Sequence, residues 1–184
     1  MVKTVSEQYL RTLAEYYLLR WAASTAKLQK YLERRVKIAA EKGRMVPEDA
    51  PQLIQNVIAQ LKESGVLDDA VYAASLQKKL QARGYPQQKQ RQALRNKGIS
   101  AEDATTAVAA VESDDFTAAC LYVRKRKLGR YRGFDAQEYA QKDLSALARQ
   151  GFSYAQAKRA LTLAAEEIDE IYGGTMMGSV FYEG

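Results

Sequence analysis

Apolar residues recur along this chain at helical spacing. Leu10, Leu13, Ala14, Tyr17, Leu18 and Trp21 follow i, i+3, i+4, i+7, i+8, i+11, which predicts a first helix with Trp21 on its core face. Leu28, Tyr31, Leu32, Val36 and Ala39 predict a second, and Leu53, Ile54, Val57, Ile58 and Leu61 a third that ends at Gly65. Three helices with apolar faces and short connections make a small bundle. Apolar alternation at strand spacing is sustained nowhere before the C-terminal stretch, so the fold class is all-α.

The same plan recurs downstream. Tyr72, Ala73, Leu76 and Leu80 mark a helix that stops near Gly84, with Pro86 opening the next and Gly98 ending it. Ser100 with Asp103 three residues later has the spacing of a capping box. Phe116, Ala119, Cys120 and Val123 predict a further helix. Another, through Tyr139, Leu144 and Leu147, ends at Gly151, and Ser153 with Gln156 repeats the box.

Two internal matches support repetition. Leu94-x-x-x-Gly98-Ile99-Ser100 matches Leu147-x-x-x-Gly151-Phe152-Ser153 at a separation of 53 residues, with Val108 opposite Leu161. Asp68-Asp69 matches Asp114-Asp115 at a separation of 46, each pair where acids favour a helix start. The units therefore differ in length. The expectation is three tandem three-helix units, 1–65, 66–112 and 113–172, followed by a flexible tail over 173–184.

Composition narrows the chemistry. The 184 residues include no histidine and one cysteine, Cys120, which removes His-based triads, most zinc sites and any internal disulfide. No Walker or dinucleotide glycine loop is present; Arg130-Tyr131-Arg132-Gly133 follows a helix and reads as a loop. The acid pairs at 68–69 and 114–115 are accounted for as helix starts, and adjacent helical residues point about 100° apart, which makes them poor dyads. The expectations are no enzyme, no cofactor and no metal. No segment has the length and apolarity of a signal peptide or membrane span, so the chain reads as cytoplasmic.

Charge carries the functional signal. The net charge is +6, but it is segregated. Lys78, Lys79, Arg83, Lys89, Arg91, Arg95 and Lys97 stand without an acid among them, and so do Arg124, Lys125, Arg126, Lys127, Arg130 and Arg132. The plain alternative is a set of solvated helix faces. Tyr122 and Tyr131 interleave with the second run, suited either to base stacking or to packing at a helix edge. No recognition-helix signature is present, so a nucleic-acid contact would be led by the backbone phosphates.

Against this background, Gly65-Val-Leu67-Asp68-Asp69-Ala-Val-Tyr72-Ala73, then Arg83-Gly84-Tyr85-Pro86, then Arg91-Gln92-x-Leu94-x-x-Lys97-Gly98-Ile99, resembles the central unit of the RecX family. The first unit departs from the pattern: at Ser24-x-x-Lys27-Leu28 a lysine replaces the family's glutamate, so half of that capping box is lost. The third unit matches in layout only. The resemblance implies three tandem units in a curved, elongated body that binds the RecA filament on single-stranded DNA. It would lie in the filament groove and restrain growth and RecA activities, in the setting of homologous recombination, DNA repair and the SOS response. It implies no cofactor and no catalysis, and a monomer is expected. Charge clustering makes Lys78, Lys79, Arg83, Lys89, Arg91, Arg95, Lys97, Arg124, Lys125, Arg126, Arg130, Tyr131 and Arg132 the candidate contacts to RecA or to the DNA backbone. The alternatives are a sequence-tolerant nucleic-acid binder acting without RecA, a purely structural scaffold, and a hydrolase.

Overall fold

A computed structural model describes residues 4–111 and 114–180, with the side chains of Phe134, Asp135 and 174–180 excepted. The expected boundary at 112–113 and the last four residues of the tail lie outside the described residues. Ten α-helices follow one another: α1 (Glu7–Arg20), α2 (Thr25–Glu41), α3 (Ala50–Glu63), α4 (Asp69–Gln81), α5 (Gln87–Asn96), α6 (Ala101–Ala109), α7 (Asp115–Arg126), α8 (Ala140–Gln150), α9 (Tyr154–Thr162) and α10 (Ala165–Val180). A 3₁₀ segment, Gly129–Ala136, lies between α7 and α8. Among the described residues the only β feature is an isolated bridge between Thr4 and Met45, so the all-α expectation holds.

The chain divides into two compact units, 1–75 with 94–105, and 76–93 with 106–184. In the first, α3 packs on both α1 and α2. Leu10, Ala14, Leu28, Leu32, Ile54, Val57, Ile58 and Leu61 form its core, with the rings of Tyr17 and Tyr31 stacked at 4.3 Å. Trp21 departs from expectation. It is 63% exposed, because α1 ends one residue earlier and Trp21 takes an extended conformation as the C-cap, which turns its ring away from the helical stripe.

Helix starts in this unit are held by side chains. Ser24 Oγ accepts from Lys27 N at 3.2 Å and itself donates to the Lys97 carbonyl at 2.6 Å. With no glutamate at position 27, the neighbouring first amide of α2, Thr25 N–H, is met by Asp69 from α4 at 2.7 Å. Asp68 serves its own helix, accepting from Ala70 N and Val71 N. Gly98, at φ +85°, lies so near the start of α2 that a Cβ there would stand 2.8 Å from Ala26 Cβ and 3.1 Å from Ser24 Oγ.

The second unit repeats the device. Asp114 caps α7 through Thr117 N at 2.6 Å, while Asp115 reaches the first amide of α5, Gln87 N–H, at 2.8 Å. Gly84 ends α4 at φ +72° directly against α7, where a Cβ would meet the Ala118 carbonyl at 2.9 Å. Residues Ala118 to Val123 of α7 are all buried, since α9, α10 and the 3₁₀ segment pack around them, together with the end of α4. Burial also pushes the Cys120 thiol up to about 11, which makes it an inert core residue.

The unequal separations of the internal sequence matches have a local cause. Left-handed helix ends at Gly84 and Gly98 are 14 residues apart, whereas those at Lys127 and Gly151 are 24 apart. The ten extra residues contain the 3₁₀ segment, so Arg130 to Gly133 is not the plain loop expected, although Gly133 interrupts the coil at φ 66°, ψ −126°. An ion pair anchors this segment. Arg132 donates twice to Asp143 of α8, at 2.8 and 2.7 Å, and Gly129 N–H donates to the same carboxylate at 2.9 Å. Asp143 is 1% exposed. At the chain end, α10 continues through Val180, so backbone expected as tail from 173 is helical as far as 180.

Two outcomes follow. Gly98→Ala should lower stability by clearly more than about 1 kcal/mol, whereas Gly43→Ala, at φ +74° but with open space around it, bears the conformational penalty alone. Urea unfolding of both variants checks this, and equal losses would show that the approach to α2 is unimportant. Asp143→Asn should destabilise by about 3 kcal/mol or more, because the Arg132 guanidinium and the Gly129 N–H lose the buried carboxylate that accepts from both. Burial raises the Asp143 carboxyl, but the Arg132 guanidinium and the Gly129 N–H outweigh it and hold it below its ordinary 3.8. The unfolded chain therefore takes up this proton first as pH falls. The stabilisation is complete above the ordinary value and is lost as pH drops through the lower folded one, a loss that acid titration of unfolding should show in the parent and not in Asp143→Asn.

Candidate partner and nucleic-acid interface

The candidate cations separate into those the fold uses and those it leaves to solvent. Arg124 and Arg132 belong to the first group. Arg124 donates to Asp169 of α10 at 2.6 Å and lies over the Tyr172 ring at 3.9 Å, which raises the guanidinium further above its usual range and holds the Asp169 carboxyl low. Arg132 is held by Asp143 and stands 4.7 Å from the Tyr139 ring. Asp143 lies 11 residues beyond Arg132, and Asp169 lies 45 beyond Arg124.

The two tyrosines also serve packing. Tyr122 is 8% exposed with its ring 6.1 Å from Phe152. The Tyr131 hydroxyl stands 3.0 Å from both the Ala165 carbonyl and Asp169, which share its one proton. Burial, and then the Asp169 carboxylate, push that phenol up to about 12. Of the two uses open at the sequence level, packing is the one the side chains adopt.

The second group is exposed. Lys125, Arg126 and Lys127 emerge from the buried middle of α7 at its C-terminal turn, where cations complement the helix dipole. Lys127 takes the left-handed position that ends the helix, at φ 52°. Arg126 lies 5.9 Å from the Tyr122 ring. Lys78 and Lys79 are exposed on the last turns of α4, and Arg83 follows beside Gly84, the residue seated on α7. One structural unit thus brings the end of α4 and the middle of α7 together although they are far apart in sequence.

Lys89 and Arg91 are half-buried. Lys89 Nζ lies 4.6 Å from the Tyr85 ring and is hydrogen-bonded to Gln150, and Arg91 donates to Gln87 at 3.4 Å. Arg95 and Lys97 are exposed but belong to the other compact unit.

Arg130 is exposed at the rim of an open hollow of about 470 Å³. Lys158 and Tyr154 of α9 join it there, with Leu144 and Leu161 forming the apolar wall. Sequence reading missed Lys158 and Tyr154. Neither belongs to the two basic runs, and the fold of α9 against α8 and the 3₁₀ segment brings them to Arg130. Among the described residues no helix is long and apolar enough to cross a membrane.

Comparison with known proteins gives this architecture a context. No family profile matches the chain. The regulatory protein RecX of Myxococcus xanthus is 34% identical over 163 residues, a match covering 86% of this chain and 87% of that protein. Its counterpart in Agrobacterium fabrum is 35% identical over 106 residues, 57% of this chain and 56% of that one. The regulatory protein RecX of Streptomyces coelicolor is 28% identical over 138 residues, 74% and 72%. A crystal structure of a regulatory protein RecX superposes with a TM-score of 0.58 at 21% identity, covering 83% of this chain and 70% of the other, a likeness of fold. With a third of its residues shared across nearly the whole length of the first relative, this chain belongs to the RecX family of regulatory proteins.

Proposed function

We propose that this chain regulates the RecA recombinase by binding the RecA filament on single-stranded DNA in its groove, restraining filament growth and nucleotide turnover. The observation that carries the reading is a cationic surface free of internal duty, on a chain of the RecX family. Lys78, Lys79 and Arg83 with Lys125, Arg126 and Arg130 have no acid within ion-pair distance among the described residues. They face a partner of opposite sign, an acidic recombinase surface or the DNA phosphates. Lys89 and Arg91 extend that contact, Arg95 and Lys97 of the other unit are candidates in their own right, and Arg124, Tyr131 and Arg132 support the first group through Asp169 and Asp143.

Restraint follows if the chain touches more than one recombinase subunit. Bridged subunits resist both the addition of new protomers and the motion that accompanies nucleotide hydrolysis. The effect requires tighter binding to one filament state than to another, since equal affinity for both shifts no population. On this reading the chain works in the cytoplasm as a monomer, without cofactor or catalysis, and α4 to α6 form the middle one of three tandem units. A second reading, sequence-tolerant binding to nucleic acid without RecA, draws on the same exposed cations.

RecA ATP turnover on single-stranded DNA should fall when substoichiometric amounts of this chain are added, and no effect at saturation overturns the proposal. The variant Lys125→Glu/Arg126→Glu/Arg130→Glu should raise the half-effective concentration roughly tenfold or more, equivalent to about 1.4 kcal/mol of lost contact. Its thermal unfolding should match the parent's. Binding to bare single-stranded DNA, compared with the filament across a salt series, separates the two readings. Filament preference supports regulation, whereas equal affinity for bare DNA with a steep salt slope supports the second.

A further inference from the structure

Helix α2, which contributes none of the cations considered above, carries its own. Lys27, Lys30, Arg34 and Lys37 are spaced three, four and three residues apart, which places them in one stripe. All four are exposed, while Leu28, Leu32 and Ala39 bury the opposite side in the first unit's core. At 1.5 Å per residue the stripe is about 15 Å long.

None of the four is in an ion pair among the described residues. Glu33, three residues after Lys30 and four before Lys37, borders the stripe and accepts from Gln29 at 2.9 Å, with no ion pair to either cation among the described residues. Glu41 marks the stripe's C-terminal limit. Successive like-charge neighbours on one helix face oppose helix formation, and a line of anionic charge laid along the helix would relieve that repulsion.

An aromatic stands at the head of that line. Trp21 is 63% exposed, three residues before the Ser24 cap of α2 and six before Lys27. Three extended residues and one helical turn set its Cα within about 15 Å of the Lys27 Cα. The nearby Tyr16 ring already has the Arg20 guanidinium 4.4 Å away, whereas Trp21 has no ring or cation neighbour among the described residues. Evenly spaced cations ending in an open indole suit a chain of phosphates that also carries flat bases, and suit an acidic peptide less well because it has nothing to stack.

We infer that α2 and Trp21 form a separate binding track for single-stranded nucleic acid, phosphates along Lys27, Lys30, Arg34 and Lys37 and one base on the indole. The track needs no recombinase, so its failure leaves the RecA reading standing, and the reverse also holds.

Trp21 is the chain's only tryptophan, which makes its emission a direct reporter. Titrating the full chain with oligodeoxythymidylate at low salt should quench that emission, and the apparent affinity should fall steeply as salt rises. Lys27→Glu/Lys30→Glu/Arg34→Glu/Lys37→Glu should weaken binding by roughly tenfold or more and flatten the salt slope, while Lys62→Glu, at an exposed cation of α3, leaves the quench in place. With labelled oligonucleotide and anisotropy, Trp21→Ala should bind about tenfold more weakly and Trp21→Phe close to the parent. Thermal unfolding of every variant verifies that the fold persists; if the fourfold variant unfolds, the pair Lys30→Gln/Arg34→Gln takes its place. An absent quench, a quench indifferent to the α2 charges, or an equal quench by polyglutamate would overturn the track.

Discussion

Much of this structure depends on a carboxylate satisfying the first amide of a helix it does not belong to. Asp69, at the start of α4, binds Thr25 N–H of α2, and Asp115, at the start of α7, binds Gln87 N–H of α5. The first turn of any helix leaves amides without intrahelical partners, and a charged acceptor is among the stronger ways to satisfy one. In each aspartate pair the labour is divided: Asp68 and Asp114 cap their own helices, and the following residue ties that start to an earlier helix. Each tie fixes where two helix ends meet. Glycines then allow the close approach those meetings require, Gly98 against Ala26 and Gly84 against the Ala118 carbonyl.

Because caps, close backbone contacts and apolar cores hold the units, few cations are needed for cohesion. Arg124 and Arg132 are the exceptions, each committed to an acid within its own unit. Most of the remaining candidate cations project outward from helices whose other faces are buried, Lys89 and Arg91 being half-buried. In α7 the transition is abrupt, from six consecutive buried residues to a basic terminal turn within one step of the chain. Such a helix is fixed by its middle and interacts by its end.

Features that depend on local spacing were legible from the residues alone. The apolar stripes, the glycine helix ends and the Ser153–Gln156 box all act within a turn or two, and the structure has them where periodicity predicts. The unequal separations of 53 and 46 residues pointed to units of different length, though not to the 3₁₀ segment that causes it. Interactions across long separations were invisible. Asp69 lies 44 residues from its amide partner and Asp169 lies 45 from Arg124, so a run of basic residues gave no sign of which members were committed. Trp21 failed for a different reason: periodicity extends a helix by one residue that the backbone does not. On α2, acids interleave with the cations in sequence, and spacing alone does not reveal that Glu33 accepts from Gln29.

The 3₁₀ segment shows how an insertion becomes structure when it brings few apolar groups of its own. Its residues Gly129 to Ala136 include two arginines and two glycines, too polar to be retained by burial alone. Asp143 supplies the retention, taking a backbone amide at one end and a guanidinium in its middle from beneath. A buried pair of this kind yields little net stability, because desolvation offsets most of its attraction, but either charge left alone is strongly unfavourable. The pair therefore acts mainly as a registration device: the segment docks in the one arrangement that satisfies both partners. That arrangement directs Arg132 inward and leaves Arg130, two residues earlier, exposed beside Lys158 and Tyr154. The exposed cation thus owes its position to the buried one.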